Sequence, residues 1–483
     1  MLRKKFFSSS SQANISNILR SFILLTVSFN SVLLQDEMRQ MIQQVKVNKM
    51  SDAFKISNKV LQVSLTELTL ILISLFNACI IHKYHSKQFK KAQTIVLHKS
   101  KKSDYIDLKM YRLIALLNTM SKTLKSIMIK RLNDIIETHH MLSNAQIRVR
   151  RKWFMISALN LLVDQVHAVW DCEIKYMIFM LSLNITKAFD HVLHTRLLHT
   201  LRMRKTLNYI VKWTRSFLKN RESSLMFNEQ TSAMQRVNAD ILQRFLISSI
   251  LFLFFNASLI EKCKALEIKI KVFNFVNDIN ILIYDKITES ICKSLSWAYN
   301  VCAKWAWTHD ATFASEKYEL IHFTRKSKRF NMTVSLCIEN SVIKLKLNVQ
   351  VLEVQLNMKL QWDLHLRQIE ADYIIKMLML SRLEIFIWKT TFAKTRQIYS
   401  VMIRLRMMFK ALIWHQRDKE KRLSSMKWRL ETLQNQVLHH VIDIFKKVNI
   451  ETLKVKTYTF SLHVHLNKLQ NQVTLRSWIN DRT

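Results

Sequence analysis

The sequence contains no glycine and no proline in 483 residues. At average usage, a chain of this length would carry roughly 34 glycines and 24 prolines. Without glycine, every left-handed turn is expected to fall on Asn, Asp or Ser at an energetic cost, and a loop that brings its backbone close to a phosphate is compromised. These two absences indicate that the sequence has been altered by something other than selection for folding.

Acidic residues are scarce relative to basic ones. The chain has 35 Asp plus Glu against 75 Lys plus Arg, a formal net charge of +40. Such a balance favours a polyanionic partner, because basic side chains gain affinity by releasing counterions from phosphates. A merely solvated basic surface is the alternative. The basic residues are spread along the whole chain and mark no particular groove.

The six cysteines have no C-x-x-C spacing. This pattern excludes a zinc knuckle or ribbon within the chain and gives no sign of a disulfide scaffold, so a reducing compartment is expected.

Long apolar runs are also missing. The two longest, Leu68 to Ile81 and Ile247 to Ile260, have about 14 residues each, short of the ~20 that cross a bilayer. We expect buried core helices and no membrane partner. A membrane-associated helical protein that uses these two runs is the alternative.

One stretch organises the rest of the chain. Val272 to Val276 and Ile279 to Tyr284 are apolar runs of strand-forming residues, separated by Asn277-Asp278. Such a pair tolerates the left-handed backbone of a tight turn, so the stretch predicts a β-hairpin with a polar tip. From the hairpin alone, two roles are open for the carboxylate at the tip. It either only stabilises the turn or lies at the edge of a metal-dependent site.

Periodicity predicts an α+β fold. Strands are expected at 94–98, at 176–185 and in the hairpin, and helices at 36–49, 60–82, 121–139, 157–170, 196–219 and 247–260. Beyond about residue 350 the pattern becomes mostly helical. Strands and helices do not alternate regularly, which disfavours a parallel-sheet nucleotide fold.

The strand over 176–185 leads into Leu183-Asn184-Ile185-Thr186-Lys187-Ala188-Phe189-Asp190, and the hairpin with Phe275-Val276-Asn277-Asp278 follows about 90 residues later. This pair resembles the two metal-binding motifs of reverse transcriptases from non-LTR retrotransposons, most closely those of fungi. Further segments resemble that family in order, over roughly residues 37 to 475. They are Lys49–Asn58, Tyr111–Asn118, Asp240–Phe252, Lys317–Glu319 and Val351–Asn357, the last followed by Trp362 and His365.

The resemblance implies a right-hand polymerase. Its fingers and palm would be an antiparallel sheet with packed helices, followed by a helical thumb and C-terminal region. The expected divisions are an unassigned leader at 1–36, an N-terminal extension with fingers at 37–175, a palm at 176–350 and a thumb-like region at 351–483. The implied partners are an RNA template, a DNA primer and deoxynucleoside triphosphates, and the family implies intracellular, nuclear action.

The implied chemistry is two-metal phosphoryl transfer to a primer 3′-hydroxyl. Two Mg²⁺ ions would be held by carboxylates on adjacent strands. The resemblance assigns the metal positions to Asn184, Asn277 and Asp278, and the family has Asp at all three. Two negative charges are therefore missing here, and we expect impaired catalysis.

The resemblance assigns the remaining roles one by one. Lys317 would donate a proton to pyrophosphate. Arg112 and Lys99 would contact the triphosphate, and Phe189 would stack under the incoming sugar. Gln243 holds its place in the template and nucleotide loop, but Arg244 stands where the family has Gly.

These departures share a cause at the nucleotide level. C-to-T and G-to-A transitions remove Gly and Pro codons and convert Asp to Asn, as in the repeat-directed mutation by which some fungi silence transposons. The family's Gly or Pro sites would then be Lys55, Ser121, Arg148, Lys152, Asp240, Arg244, Asn274, Glu353, Asp363, Leu364 and Lys410. Part of the net charge of +40 would then have arisen by these mutations.

Two other hypotheses remain beside a degenerate, catalytically impaired polymerase. One is a basic pseudo-polymerase that still holds nucleic acid. The other is an intact polymerase in which Asp278, Asp190 or Glu side chains serve as the metal ligands.

Overall fold

The structure is a computed structural model. It describes residues 32–45, 56–98, 106, 110–148, 155–173, 176–237, 241, 245–266, 269–325, 334–338, 341–386, 396–404, 408, 413, 422–442, 449–462, 464–469 and 471.

Helices and strands are mixed along the chain. The helices are α1 (Gln35–Gln43), α2 (Asn58–Val63), α3 (Leu65–Ile81), α4 (Thr119–Thr138), α5 (Met155–Trp170), α6 (His194–Met203), α7 (Asn208–Leu218), α8 (Leu246–Lys264), α9 (Thr288–His309), α10 (Asp363–Phe386), α11 (Arg422–Ile442) and α12 (Ile450–Lys456). The strands are β1 (Lys91–His98), β2 (Tyr111–Leu117), β3 (Met177–Thr186), β4 (Arg221–Phe227), β5 (Gln230–Thr231), β6 (Gln235–Val237), β7 (Ile270–Phe275), β8 (Asp278–Asp285), β9 (Thr312–Phe313), β10 (Glu319–Phe323), β11 (Ser335–Ile338), β12 (Ser341–Lys344), β13 (Asn348–Val351) and β14 (Val354–Asn357).

The chain forms two compact units. The first comprises Met1–Arg151, Leu183–Ile281 and Lys293–Tyr318, and the second comprises Lys152–Ser182, Leu282–Cys292 and Glu319–Thr483. The boundaries expected at residues 36, 175 and 350 stay predictions.

A five-stranded sheet lies in the first unit, in the order β2-β1-β4-β5 with β6 paired to β4. Strand β1 is antiparallel to β2 and parallel to β4. Alternate residues of β1 are buried, as expected for a strand with one face on a core. Among them, Thr94 shares a 2.7 Å hydroxyl hydrogen bond with Ser223 of β4.

The first unit also contains the end of β3, the start of β8, and strand β7, side by side in the order β3-β8-β7. Strand β9 pairs antiparallel with the end of β3, with Ile185 opposite Phe313. Helix α8 packs against β7. This arrangement places the end of β3 beside the start of β8.

In the second unit, β10 runs antiparallel to the first half of β3, with Leu320 opposite Leu181. Two hairpins follow, β11–β12 and β13–β14. Helix α10 contacts β14 and α11, and α11 contacts α12. The antiparallel sheets with packed helices confirm the predicted α+β class, although β14 shows that strands continue past residue 350.

The two apolar runs differ in burial. Helix α8 is covered: every residue from Ile247 to Ile260 except Ser258 is buried. Among the described residues it is the one helix long and apolar enough to cross a membrane, and 78% of its apolar stretch is buried inside the protein. The prediction that Leu68 to Ile81 forms a buried core helix is wrong for one face of α3, since Leu70 and Ile71 are 68% and 64% exposed.

Left-handed backbone does not fall where the composition predicts. Of fourteen described residues with positive φ, three are Asn or Asp, namely Asn220, Asn228 and Asp310. The others are Lys83, His140, Arg148, Lys187, Lys205, Glu229, Val276, Leu352, Glu353, Leu360 and Tyr458. The expectation that Asn, Asp or Ser would take every such turn is wrong, because surrounding packing can hold residues with little intrinsic preference for this conformation.

The β13–β14 hairpin shows the cost of a missing glycine. Val351 and Val354 pair across a two-residue turn, and the turn residues Leu352 and Glu353 have φ of 49° and 64°. Two positive φ values are typical of a type I′ turn, which favours Asn-Gly. Glu353 is one of the positions inferred to have been glycine.

Glu353→Gly is expected to raise the free energy of unfolding by about 0.5–1 kcal/mol. Release of about 1–2 kcal/mol of left-handed strain exceeds the entropic penalty of about 0.5–1 kcal/mol for glycine. Urea unfolding measures the change. The matched control is Gln350→Gly, at an exposed strand position of β13, which should lose stability. A loss of stability in both variants would contradict the strain at Glu353.

Candidate active site

The three predicted metal positions come together in the first unit. Asn184 lies near the end of β3, Asn277 lies in the turn before β8, and Asp278 is the first residue of β8. The side-chain amide of Asn184 donates to Oδ1 of Asp278. The amide of Asn277 donates to the same oxygen at 3.3 Å.

The backbone holds this group in place. The N–H of Ile185 donates to the carbonyl of Asn277 at 2.9 Å, which joins β3 to the turn. The N–H of Ala314 donates to the carbonyl of Asn184 at 2.9 Å. The segment that carries Lys317 is thereby tied to the same end of β3.

The environment of Asp278 acts on its charge in two directions. Burial raises the pKa of this carboxyl, while the hydrogen bond from Asn184 and the positive charges of Lys317 and Arg148 lower it. The net result is a pKa above the ordinary value. Lys317 is therefore electrostatically part of the site, although its side chain is exposed.

The donor set does not fit two divalent cations. The three positions supply one carboxylate and two neutral amides, and both amides direct N–H groups at Oδ1 of Asp278. That orientation is the favourable one, because an amide oxygen turned toward a carboxylate would be repelled. Among the residues that the structure describes, no group of three or more His, Cys, Asp or Glu side chains is placed to hold a metal ion.

The hairpin turn lies one residue earlier than predicted. The turn residues are Val276 and Asn277, and the left-handed position is Val276, with φ of 61°. Asp278 already belongs to β8. A β-branched residue in this conformation is a genuine outlier, so specific contacts must hold it there.

A buried network of amides provides those contacts. Asn256 of α8 donates to the carbonyl of Val276 at 3.0 Å and to Oδ1 of Asn274 at 3.1 Å. Asn274 donates to the same carbonyl at 3.1 Å. Gln146 donates to Oδ1 of Asn256 at 2.8 Å and to the carbonyl of Leu253 at 2.7 Å. The three amide residues have 0% exposure.

This network positions the Asn277–Asp278 tip, and sequence reasoning missed it. Asn256 offered a signal, since it is an amide inside the apolar run Ile247 to Ile260. A buried amide needs partners, so its presence on a core helix indicates a polar contact. Gln146 gave no such local signal, because its partners lie more than 100 residues away.

The predicted nucleotide-binding residues are placed on different elements. Phe189 is half-buried in the turn after β3, with its ring 5.5 Å from that of Phe252 on α8. Arg112 is exposed on β2, in the five-stranded sheet, opposite Leu97. Lys99 and Gln243 lie outside the described residues.

Comparison with known proteins agrees with this arrangement. Residues 98–355, more than half of the chain, match the family described as "Reverse transcriptase (RNA-dependent DNA polymerase)". Two Drosophila melanogaster proteins are similar. The probable RNA-directed DNA polymerase from transposon X-element is 23% identical over 294 residues, which cover 60% of this chain and 32% of that protein. The RNA-directed DNA polymerase from mobile element jockey is 20% identical over 371 residues, which cover 76% of this chain and 40% of that protein.

The chain therefore spans 32% and 40% of the length of these two relatives. Among solved structures, apo telomerase from Candida tropicalis aligns with a TM-score of 0.41 and 11% identity, over 85% of this chain and 74% of that one. The family match runs from the end of β1 through the start of β14 and includes Asn184, Asn277 and Asp278. The chain belongs to the reverse transcriptase family.

Proposed function

We propose that this chain is, by descent, the RNA-directed DNA polymerase of a non-LTR retrotransposon of fungal type, and that its nucleotidyl transfer is impaired. The observation that carries the proposal is the shared hydrogen bonding at Asp278, where two amides contact the one carboxylate. The proposed partners are an RNA template, a DNA primer and deoxynucleoside triphosphates. Reverse transcriptases generally use Mg²⁺.

Electrostatics explains the impairment. Two dications held about 3.5–4 Å apart repel each other strongly, and anionic ligands between them offset that repulsion. Asn184 and Asn277 contribute no charge, and their N–H groups engage the oxygen of Asp278 that would otherwise face a cation. A cation that binds here would have to break both hydrogen bonds, and it would find a single negatively charged ligand, the carboxylate of Asp278.

The backbone supports the mutational origin of these changes. Arg148 and Glu353, two of the positions inferred to have been glycine, have φ of 107° and 64°. Glycine adopts such values without strain, whereas Arg and Glu do so at a cost. The same transitions that remove glycine convert Asp to Asn, so one process accounts for the strain at these two positions and for the missing charges.

Primer extension tests the proposal. The purified protein, given an RNA template, an annealed DNA primer, deoxynucleoside triphosphates and Mg²⁺, is expected to incorporate no nucleotide above background. An active reverse transcriptase in the same buffer is the positive control. Incorporation that Asp278→Ala abolishes would contradict the impairment and support the intact polymerase.

A non-catalytic nucleic-acid-binding role is the second candidate, and the part of the net charge of +40 that does not come from mutation favours it. In that case the binding constant for an RNA–DNA duplex should fall steeply with salt, as expected when phosphates release counterions. Fluorescence anisotropy between 50 and 200 mM salt, about the range over which such affinities change strongly, measures the slope. A flat response would count against this role.

A further inference from the structure

Helix α9 carries two exposed tryptophans. Trp297 is 50% exposed and Trp307 is 81% exposed, whereas Trp305, two residues before Trp307, has 0% exposure. A tryptophan has a large flat ring, and leaving most of it in water forgoes the free energy that its burial would contribute. Two such rings on the same face of one helix would indicate a surface that contacts a partner.

The buried face of α9 fixes which of its residues face outward. Trp305 Nε1 donates to Oγ of Ser258 on α8 at 3.1 Å, and the ring of Trp305 stacks on that of His309 with centroids 4.5 Å apart. Cys302 lies against Cys263 of α8, with the sulfur atoms 3.7 Å apart. Because these contacts hold α9 on α8 in one rotational setting, the opposite face of the helix is left to solvent.

The outward face forms one continuous stripe within the first unit. Between residues 293 and 309, the exposed residues are Lys293, Trp297, Asn300, Lys304 and Trp307. Their spacings of four, three, four and three residues follow the helix repeat of about 3.6 residues, so the side chains lie in one line along the surface. The two tryptophans therefore share a face, and lysines alternate with them.

This stripe has the chemistry of a platform for an unpaired nucleic-acid strand. Proteins that hold such strands stack the bases on aromatic rings and place basic side chains along the phosphates. The sequence has no Asp or Glu between residues 293 and 309, and Glu289 lies one turn before Lys293, at the end of the stripe. Lysine is depleted in interfaces between proteins. The alternation of Lys with Trp therefore favours a polyanion over a protein partner.

The spacing of the two rings suits a strand that runs along the helix. Trp297 and Trp307 are ten residues apart, which is about 15 Å along the helix axis. Stacked bases follow each other at about 3.4 Å, so the two rings would receive bases about four steps apart in a stacked strand and fewer in an extended one. Lys304 lies between the rings, where it can contact an intervening phosphate. In a duplex the bases are paired and stacked on each other, so their faces are not available to the rings.

We propose that this stripe binds a single-stranded polynucleotide. Trp297 and Trp307 stack on its bases, and Lys293 and Lys304 contact its phosphates. The proposal rests on the nucleic-acid-binding role proposed above, to which it adds a surface and a preference for unpaired strands. It does not depend on nucleotidyl transfer, because none of these residues belongs to the Asn184–Asp278 cluster. Every base has a flat face, so little sequence preference is expected.

Removal of both rings tests the stacking. Trp297→Ala/Trp307→Ala is expected to bind a labelled oligoadenylate of about 12 nucleotides at least about 30-fold more weakly, the effect of losing two base–aromatic stacks. Fluorescence anisotropy at about 200 mM salt, where contacts through charge alone are weakened, measures the affinity. The control, Trp428→Ala/Phe460→Ala, removes two aromatic side chains of the second unit that are 68% and 66% exposed. It should keep the wild-type affinity, and circular dichroism should show that both variants are folded.

An abasic strand of the same length separates stacking from charge. It keeps the phosphates and lacks the bases, so the wild-type protein should bind it more weakly than oligoadenylate, whereas the tryptophan double variant should bind the two strands alike. Lys293→Gln/Lys304→Gln should reduce the salt slope for oligoadenylate by about 1.4, since each phosphate contact contributes about 0.7 in single strands. Lys212→Gln/Arg215→Gln removes two charges from exposed positions of α7 and should leave the slope nearly unchanged.

The outcomes distinguish this proposal from the role on which it rests. Equal binding of the two strands by the wild-type protein, or equal losses in the two aromatic double variants, would overturn the stripe and leave general nucleic-acid binding in place. Failure to bind any single strand or duplex would overturn both. Self-association that the tryptophan double variant abolishes, measured by sedimentation without nucleic acid, would assign the stripe to a protein interface and contradict the proposal.

Discussion

Replacing both Asn184 and Asn277 with Asp is expected to raise the affinity of the protein for Mn²⁺ by about 100-fold or more. A unit charge attracts a dication 4 Å away by about 8 kcal/mol at an effective dielectric of 20. If desolvation leaves only about 1.4 kcal/mol of this for each restored carboxylate, the two together give about 100-fold. The side chains are already adjacent, since both amides reach Oδ1 of Asp278.

Mn²⁺ is the probe because its binding is read directly by electron paramagnetic resonance, without any need for polymerisation. Primer extension would be a poorer readout, since the resemblance puts Arg244 where the family has Gly, and that replacement could impair polymerisation by itself. Each single replacement is expected to give a smaller gain than the double variant.

The control is Asn220→Asp/Asn228→Asp, which adds the same charge at two exposed turn positions. This pair should leave Mn²⁺ affinity near the wild-type value. Equal gains in both double variants would show that total charge, and not the Asn184–Asp278 cluster, controls binding. If neither double variant bound Mn²⁺ more tightly than the wild-type protein, the interpretation of Asn184, Asn277 and Asp278 as a former metal site would be wrong.

The sequence predicted the strands of this cluster but not the conformation of its turn. Strands β3, β7 and β8 are short apolar runs of strand-forming residues, and local pattern is sufficient to find them. The position of the turn depends on Asn256, which lies on another element and reaches the carbonyl of Val276. Local turn preferences favoured Asn277-Asp278, and a contact distant in sequence overrode them.

The same limit applies to cavities and to the buried cations. Periodicity placed α4, α6 and α8, yet it could not show that Arg196, Glu261 and His309 line one cavity. Nor did the even spread of basic residues along the chain indicate which of them would be buried. The resemblance assigned roles to single positions, and three-dimensional packing decided which of these positions meet.

Lys125 is the clearest of the buried cations. It lies on α4 with 3% exposure, and its Nζ is 4.5 Å from the ring centroid of Phe245. Burial, followed by the charges of Arg221 and Lys122, holds its pKa well below the usual value. Arg221 is also 3% exposed, and burial lowers its pKa to about 9. Among the residues that the structure describes, neither Lys125 Nζ nor Arg221 Nη1 has a hydrogen-bond partner.

Lys125→Met is therefore expected to raise the free energy of unfolding at pH 7 by about 1–4 kcal/mol, the gain found when buried ion pairs are replaced by apolar residues of similar volume. The unfolded chain binds a proton at Lys125 more tightly than the folded protein does, because the folded pKa is lowered. Wild-type stability should accordingly increase as the pH rises from the folded pKa of Lys125 toward its unfolded value of about 10.4. The advantage of the variant should shrink over the same interval.

Urea unfolding of both proteins at neutral pH and near pH 10 measures this difference. The contribution of Arg221 is common to both proteins and largely cancels. Lys130→Met, an exposed substitution on the same helix, should change stability by less than about 0.5 kcal/mol. If Lys125→Met proved neutral or destabilising at pH 7, the buried ammonium must be stabilised by more than the rings of Phe217 and Phe245, and the buried cations would not be a source of instability in this fold.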